Sequence, residues 1–184
     1  TLWDRLYDGD VSVGEFRLRR PRTSWTWNVT VEYRVPEPEP PEEPTPIGFD
    51  VGESALLVGC AVERGAPQDP LFIDGGHARH LRKEMFTTLR RLRERNAADW
   101  RIDERSNYHQ NALTDIVEKA SREAVEYAGQ FEKPVIVLED LSYIRESLDC
   151  GKWMNRRLHT WAFARLQDRI EDKALDAGIP VKYV

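Results

Sequence analysis

Two stretches decide how this chain folds: Ile47-Gly48-Phe49-Asp50-Val51-Gly52 and Pro134-Val135-Ile136-Val137-Leu138-Glu139-Asp140. In the second, a proline opens four consecutive apolar residues and an acid closes them. An apolar run without alternation is expected of a strand covered on both faces, as central parallel strands are. The first stretch carries its acid inside the run. Side chains alternate along a strand, so Asp50 faces opposite to Phe49, and Glu139 opposite to Asp140. Were the two strands parallel neighbours, both carboxylates would project near the carboxyl ends of adjacent strands. Open α/β sheets bind their ligands there.

Working outward, the runs Ile47–Gly52, Leu56–Val62 and Leu71–Asp74 are separated by turn signals at Gly52 and at Arg64-Gly65-Ala66-Pro67. They predict a three-stranded antiparallel meander. Ala78, Leu81, Met85, Leu89 and Leu92 recur at +3, +4, +4 and +3, which predicts a helix from His77 to Arg95. Leu113, Ile116, Val117, Ala120, Ala124 and Tyr127 predict a second helix that stops at Gly129. A third uses Leu158, Ala162, Leu166, Ile170 and Ala174 and ends at Gly178, and Pro180 to Val184 forms a last strand.

Residues 36–46 read PEPEPPEEPTP, with six prolines and four glutamates. Proline removes donors and fixes φ, so this segment is expected to be a stiff, extended linker. It divides the chain into residues 1–35, a short all-β piece, and residues 47–184, an α/β piece. In the first piece Trp25, Trp27, Val29, Val31 and Tyr33 alternate with polar residues, which predicts a strand, and Val11 to Arg19 its hairpin partner. Two strands cannot bury such a face alone, so the hairpin is expected to belong to a larger barrel or sandwich.

Across 184 residues, 32 acids and 27 bases give a net charge of −5, which argues against coating nucleic acid by bulk charge. Of those bases 21 are Arg and six are Lys. An acidic, Lys-poor chain suits high salt, and Arg is the better bidentate phosphate binder. Cys60 and Cys150 form no CxxC, so no disulfide framework or zinc knuckle is visible. No apolar run approaches the ~20 residues of a membrane span. The expectation is a cytoplasmic chain with no membrane partner.

Chemistry centres on Asp50 and Glu139. Two carboxylates a few ångströms apart repel by several kcal/mol, on the order of 332/(εr), so one takes a proton or a divalent cation fills the gap. Oxygen-only ligands favour Mg²⁺ or Mn²⁺. Two such ions ~4 Å apart suit attack of water on a phosphodiester. Structural roles compete: Asp50 could cap the turn at Gly52, and Glu139 could be salt-bridged at a strand end. The helix from His77 to Arg95 carries Arg79, Arg82, Lys83, Arg90, Arg91, Arg93 and Arg95 against Glu84 and Glu94. It forms a cationic patch suited to phosphates or a solvated helix face. Lys152, Arg156 and Arg157, interleaved with Trp153, Trp161 and Phe163, make a smaller basic group. The four histidines show no metal-ligand spacing.

The string Ile47-Gly48-Phe49-Asp50-Val51-Gly52 resembles the first RuvC motif of TnpB proteins, the RNA-guided endonucleases of insertion sequences related to Cas12 nucleases. Val135-Ile136-Val137-Leu138-Glu139-Asp140-Leu141 resembles their second motif. Asn155-Arg156-Arg157-Leu158-His159-Thr160-Trp161-Ala162-Phe163, followed by Lys173-Ala174 and Gly178-Ile179-Pro180-Val181, is similar to the segment that follows. The likeness covers nearly the whole chain and is strongest to the haloarchaeal branch. It implies an RNase H-like (RuvC) α/β fold, a mixed sheet in order 3-2-1-4-5 flanked by helices and preceded by a hairpin from a wedge-type, OB-like barrel. It also implies guide RNA and target DNA as partners, with the basic helix near their heteroduplex. Asp50 and Glu139 are then catalytic ligands of Mg²⁺ or Mn²⁺.

Family members continue into a CxxC zinc ribbon and a third motif with a last catalytic Asp, neither of which this sequence contains. Zn²⁺ is therefore expected only in that ribbon, and the 184-residue piece alone is expected not to cut DNA. Other readings stay open. One is a nuclease-inactive nucleic-acid-binding derivative; another is an actin-like or sugar-kinase-like ATPase piece, to which Asp50-Val51-Gly52 fits loosely.

Overall fold

A computed structural model describes residues 11–19, 26–33, 36–52, 54–140 and 162–184. The chain divides into two compact units, Thr1–Pro36 and Glu37–Val184. In the first, β1 (Val11–Arg19) pairs antiparallel with β2 (Thr26–Tyr33). Apolar residues of β1 change parity between Val13 and Phe16, and a bulge at the same place restores the match. The register therefore sets Val11 opposite Tyr33, Val13 opposite Val31, Phe16 opposite Val29 and Leu18 opposite Trp27. Trp25 lies outside the described residues.

In the second unit β3 (Thr45–Asp50) takes in the last two residues of the proline-rich run. Pro46 is tolerated in this central strand because the antiparallel pairing with β4 (Ala55–Glu63) begins one residue later, at Ile47. Arg64 and Gly65 both have positive φ and turn β4 tightly into β5 (Ala66–Pro67), as a primed hairpin turn requires. β6 (Leu71–Asp74) pairs antiparallel with β4, completing the predicted meander. β7 (Pro134–Leu138) lies parallel to β3, and β8 (Val181–Tyr183) parallel to β7. The sheet order is β6-β4-β3-β7-β8, with β5 at the end of β4. This is the 3-2-1-4-5 order.

Three helices are described: α1 (Gly76–Glu94), α2 (Asp99–Ala128) and α3 (Ala162–Asp176). One face of the sheet, carrying Ile47, Phe49, Leu57, Ala61, Ile136 and Leu138, packs on Val117, Ala120 and Ala124 of α2 and Leu166, Ile170 and Ala174 of α3. The second helix starts far earlier than its apolar period predicts. Its inward stripe runs Ile102, Ser106, His109, Leu113, and two of those four residues are polar. His109 is 2% exposed, so an imidazole occupies a core position. Leu158 of the predicted third helix lies outside the described residues.

A charged clamp ties α2 to α3. Glu118 accepts a hydrogen bond from Lys173 Nζ at 2.6 Å and forms an ion pair with Arg169 Nε at 2.8 Å, and Lys173 also donates to Ser121 Oγ at 2.9 Å. The Lys173 hydrogen bond, helped by the charges of Lys173, Arg169 and Arg165, holds the Glu118 carboxyl below its usual range against the opposing pull of partial burial. The folded state thus binds this proton less readily than the unfolded chain. The contribution is complete above about pH 4.3, the free Glu value, and is lost as pH falls through the depressed folded value. Solvent reaches the clamp, so Glu118→Gln should cost no more than about 1 kcal/mol at neutral pH. Urea midpoints of wild type and variant should converge in acid; a constant gap down to about pH 3 would refute this role for the clamp.

Candidate functional site

Parallel pairing of β3 with β7 runs from Thr45 opposite Pro134 to Phe49 opposite Leu138. Asp50 ends β3 and Glu139 follows β7, so the next residue on each strand is an acid, in step. Phe49 and Leu138 point into the helix-covered core. By alternation Asp50 and Glu139 share the other face, and both are exposed. Among the described residues neither carboxylate makes a hydrogen bond or ion pair. The turn-capping role for Asp50 and the salt-bridge role for Glu139 therefore find no support there.

The ends of both strands are held from below and beside. Phe49 lies across Gly59, its antiparallel partner: a Cβ on Gly59 would sit 2.2 Å from Phe49 Cε1. The ring also meets Tyr127 edge-on at 6.2 Å, and Tyr127 meets Phe131 at 5.2 Å. Tyr127 donates its hydroxyl proton to Asp69 O at 2.7 Å and accepts from the Ala61 N–H at 3.3 Å, which anchors this stack to β4. On the other strand, Gln167 of α3, 6% exposed, donates to the Glu139 carbonyl at 3.0 Å. Val184 donates to Leu138 O at 3.0 Å and accepts from Asp140 N–H at 2.9 Å, bracketing Glu139. Gln167 escapes sequence reading because a glutamine inside an amphipathic helix carries no motif. Its signal is its place directly after Leu166 on the buried side.

Two exposed carboxylates at the ends of neighbouring strands offer oxygen donors only, the kind that suit a hard divalent ion such as Mg²⁺ or Mn²⁺. No third His, Cys, Asp or Glu joins them into a cluster among the described residues.

The basic residues of α1 and its C-cap Arg95 sort by burial. Arg79, Lys83, Arg90, Arg91, Arg93 and Arg95 are exposed, with Arg90 paired to Glu94 at 3.6 Å. Arg82 is 8% exposed and belongs to the buried side of α1 with Leu81 and Met85, so it leaves the surface patch. Sequence counting could not separate it from its neighbours, because the aliphatic stem of an arginine can occupy a packing position. Lys152, Arg156 and Arg157, with Trp153 and Trp161, lie outside the described residues.

The fold is a RuvC-like α/β one, a mixed sheet flanked by helices. Solved structures agree. The chain is similar to a Cas12f1–sgRNA–target DNA complex, with TM-score 0.57 and 20% identity over 92% of this chain and 41% of that one. It is also similar to a CRISPR-Cas12f ternary complex, with TM-score 0.58 and 20% identity over 100% of this chain and 37% of that one. The chain thus spans about two fifths of the length of those proteins. No protein-family profile and no curated protein sequence matches it. Among the described residues no helix is long and apolar enough to cross a membrane.

Gly59 tests how the site end of β3 is held. An alanine there has no room, so Gly59→Ala should destabilise by about 1–3 kcal/mol. Pairing it with Phe49→Leu should recover part of the loss. A neutral or stabilised Gly59→Ala in urea titration would show that the Phe49 ring does not pack on this backbone.

Proposed function

We propose that this chain is the RuvC-like part of a TnpB-related, RNA-guided DNA endonuclease of the insertion-sequence type, in which Asp50 and Glu139 are metal-binding catalytic residues. The in-step placement of two exposed acids at the carboxyl ends of adjacent parallel strands carries the reading. The likeness to Cas12f complexes containing sgRNA and target DNA supports guide RNA and target DNA as partners. The acidic, Lys-poor composition supports a haloarchaeal type.

Mg²⁺ or Mn²⁺, when bound, supplies Lewis acidity and lowers the pKa of water for attack on a phosphodiester. The chain's own contribution is placement. Asp50 and Glu139 offer oxygen ligands from neighbouring strand ends. Phe49 and Leu138 close the sheet beneath them with a dry core, and the backbone bonds from Gln167 and Val184 fix where the Glu139 main chain lies. The exposed cations of α1 attract phosphates.

A binding-only derivative is the second reading, favoured by the cationic face of α1, which attracts phosphates whether or not the acids hold metal. One experiment separates the two. The protein in its full native length, programmed with guide RNA, should cut matching DNA in Mg²⁺, and Asp50→Ala or Glu139→Ala should lower the rate by at least about a hundredfold, the loss of roughly 3 kcal/mol of transition-state stabilisation. Cleavage that survives Asp50→Ala contradicts the assignment. A footprint without nicking from the wild type selects the binding-only reading.

A further inference from the structure

Residues 79, 83, 86, 90 and 93 follow one another along α1 at steps of +4, +3, +4 and +3, and so share one face of the helix. Arg79, Lys83, Arg90 and Arg93 are all exposed. The residue at the centre of the row is Phe86, 39% exposed. Packing does not demand a ring there, because the buried side of α1 is built from Ala78, Leu81, Arg82, Met85 and Leu89. The ion pair that reaches the row joins Arg90 to Glu94 at its edge, and Glu84 lies off it.

Cations alone suffice for a duplex, whose backbone presents phosphates while its bases stay stacked inside. A ring held open among the cations suits a different ligand. Single strands expose base faces, and sites for them combine a basic track with aromatic side chains on which bases stack. We propose that this face of α1 binds single-stranded polynucleotide, with Arg79, Lys83, Arg90 and Arg93 tracking phosphates and Phe86 stacking on an unpaired base. The proposal deepens the reading of α1 as a nucleic-acid contact and rests on it. From Arg79 to Arg93 the row spans about 21 Å at the helical rise, the length of about six nucleotides of a stacked strand.

The test measures fluorescence anisotropy of the whole chain with four labelled probes: oligothymidylate of about ten nucleotides, oligouridylate, an abasic deoxyribose-phosphate strand of that length, and a matching duplex. Oligothymidylate or oligouridylate should bind about tenfold more tightly than the abasic strand and more tightly than the duplex, and the tighter of the two identifies the strand as DNA or RNA. Phe86→Ala should weaken that binding about tenfold and leave the abasic strand unchanged. Phe86→Leu, which keeps apolar bulk and the fold, should do the same. Lys83→Gln should instead reduce the slope of log affinity against log salt by about 0.7. Equal binding of the abasic strand or duplex, or insensitivity to Phe86→Leu, overturns the proposal while leaving α1 a phosphate contact. Failure of all four probes to bind overturns the nucleic-acid reading of α1 and this proposal with it.

Discussion

The parallel register of β3 against β7 is the constraint on which the rest depends. With Phe49 beside Leu138, the next residue on each strand is an acid, and both acids share the face away from the helices. A slip of one residue would turn one acid into the core. The register is held because Ile47, Phe49, Ile136 and Leu138 are buried against α2 and α3. Burial of apolar side chains, not an interaction between the acids, therefore places the acids.

Rigidity at the site comes from the layer beneath. Phe49 on Gly59, Tyr127 on the carbonyl of Asp69 and the N–H of Ala61, and Gln167 on the carbonyl of Glu139 link α2 and α3 to the two strand ends. The clamp of Glu118, Lys173 and Arg169 ties those helices to each other. The acids thus stand on a packed platform and are themselves open to solvent.

Much of this was legible in the sequence. Val135–Leu138 does not alternate, as expected of a central strand, and β7 does lie between two parallel neighbours; Asp50 and Glu139 stand out only as a pair, since either acid alone could have been structural. Other features were hidden for identifiable reasons. The first half of α2 turns inward through Ser106 and His109, so an apolar period could not reveal it. Arg82 counts as a cation in composition yet lies in the packing face of α1. Thr45 and Pro46 read as linker, because a proline in a central strand is allowed only where no antiparallel partner needs its donor.

The chemistry proposed for this chain stands or falls on whether Asp50 and Glu139 together hold divalent metal. The most direct measurement is anomalous diffraction from crystals of the protein soaked in Mn²⁺. An anomalous peak is expected within about 2.5 Å of oxygens from both side chains, lost in Asp50→Ala crystals. Strong Mn²⁺ peaks elsewhere and none between these two residues would contradict it.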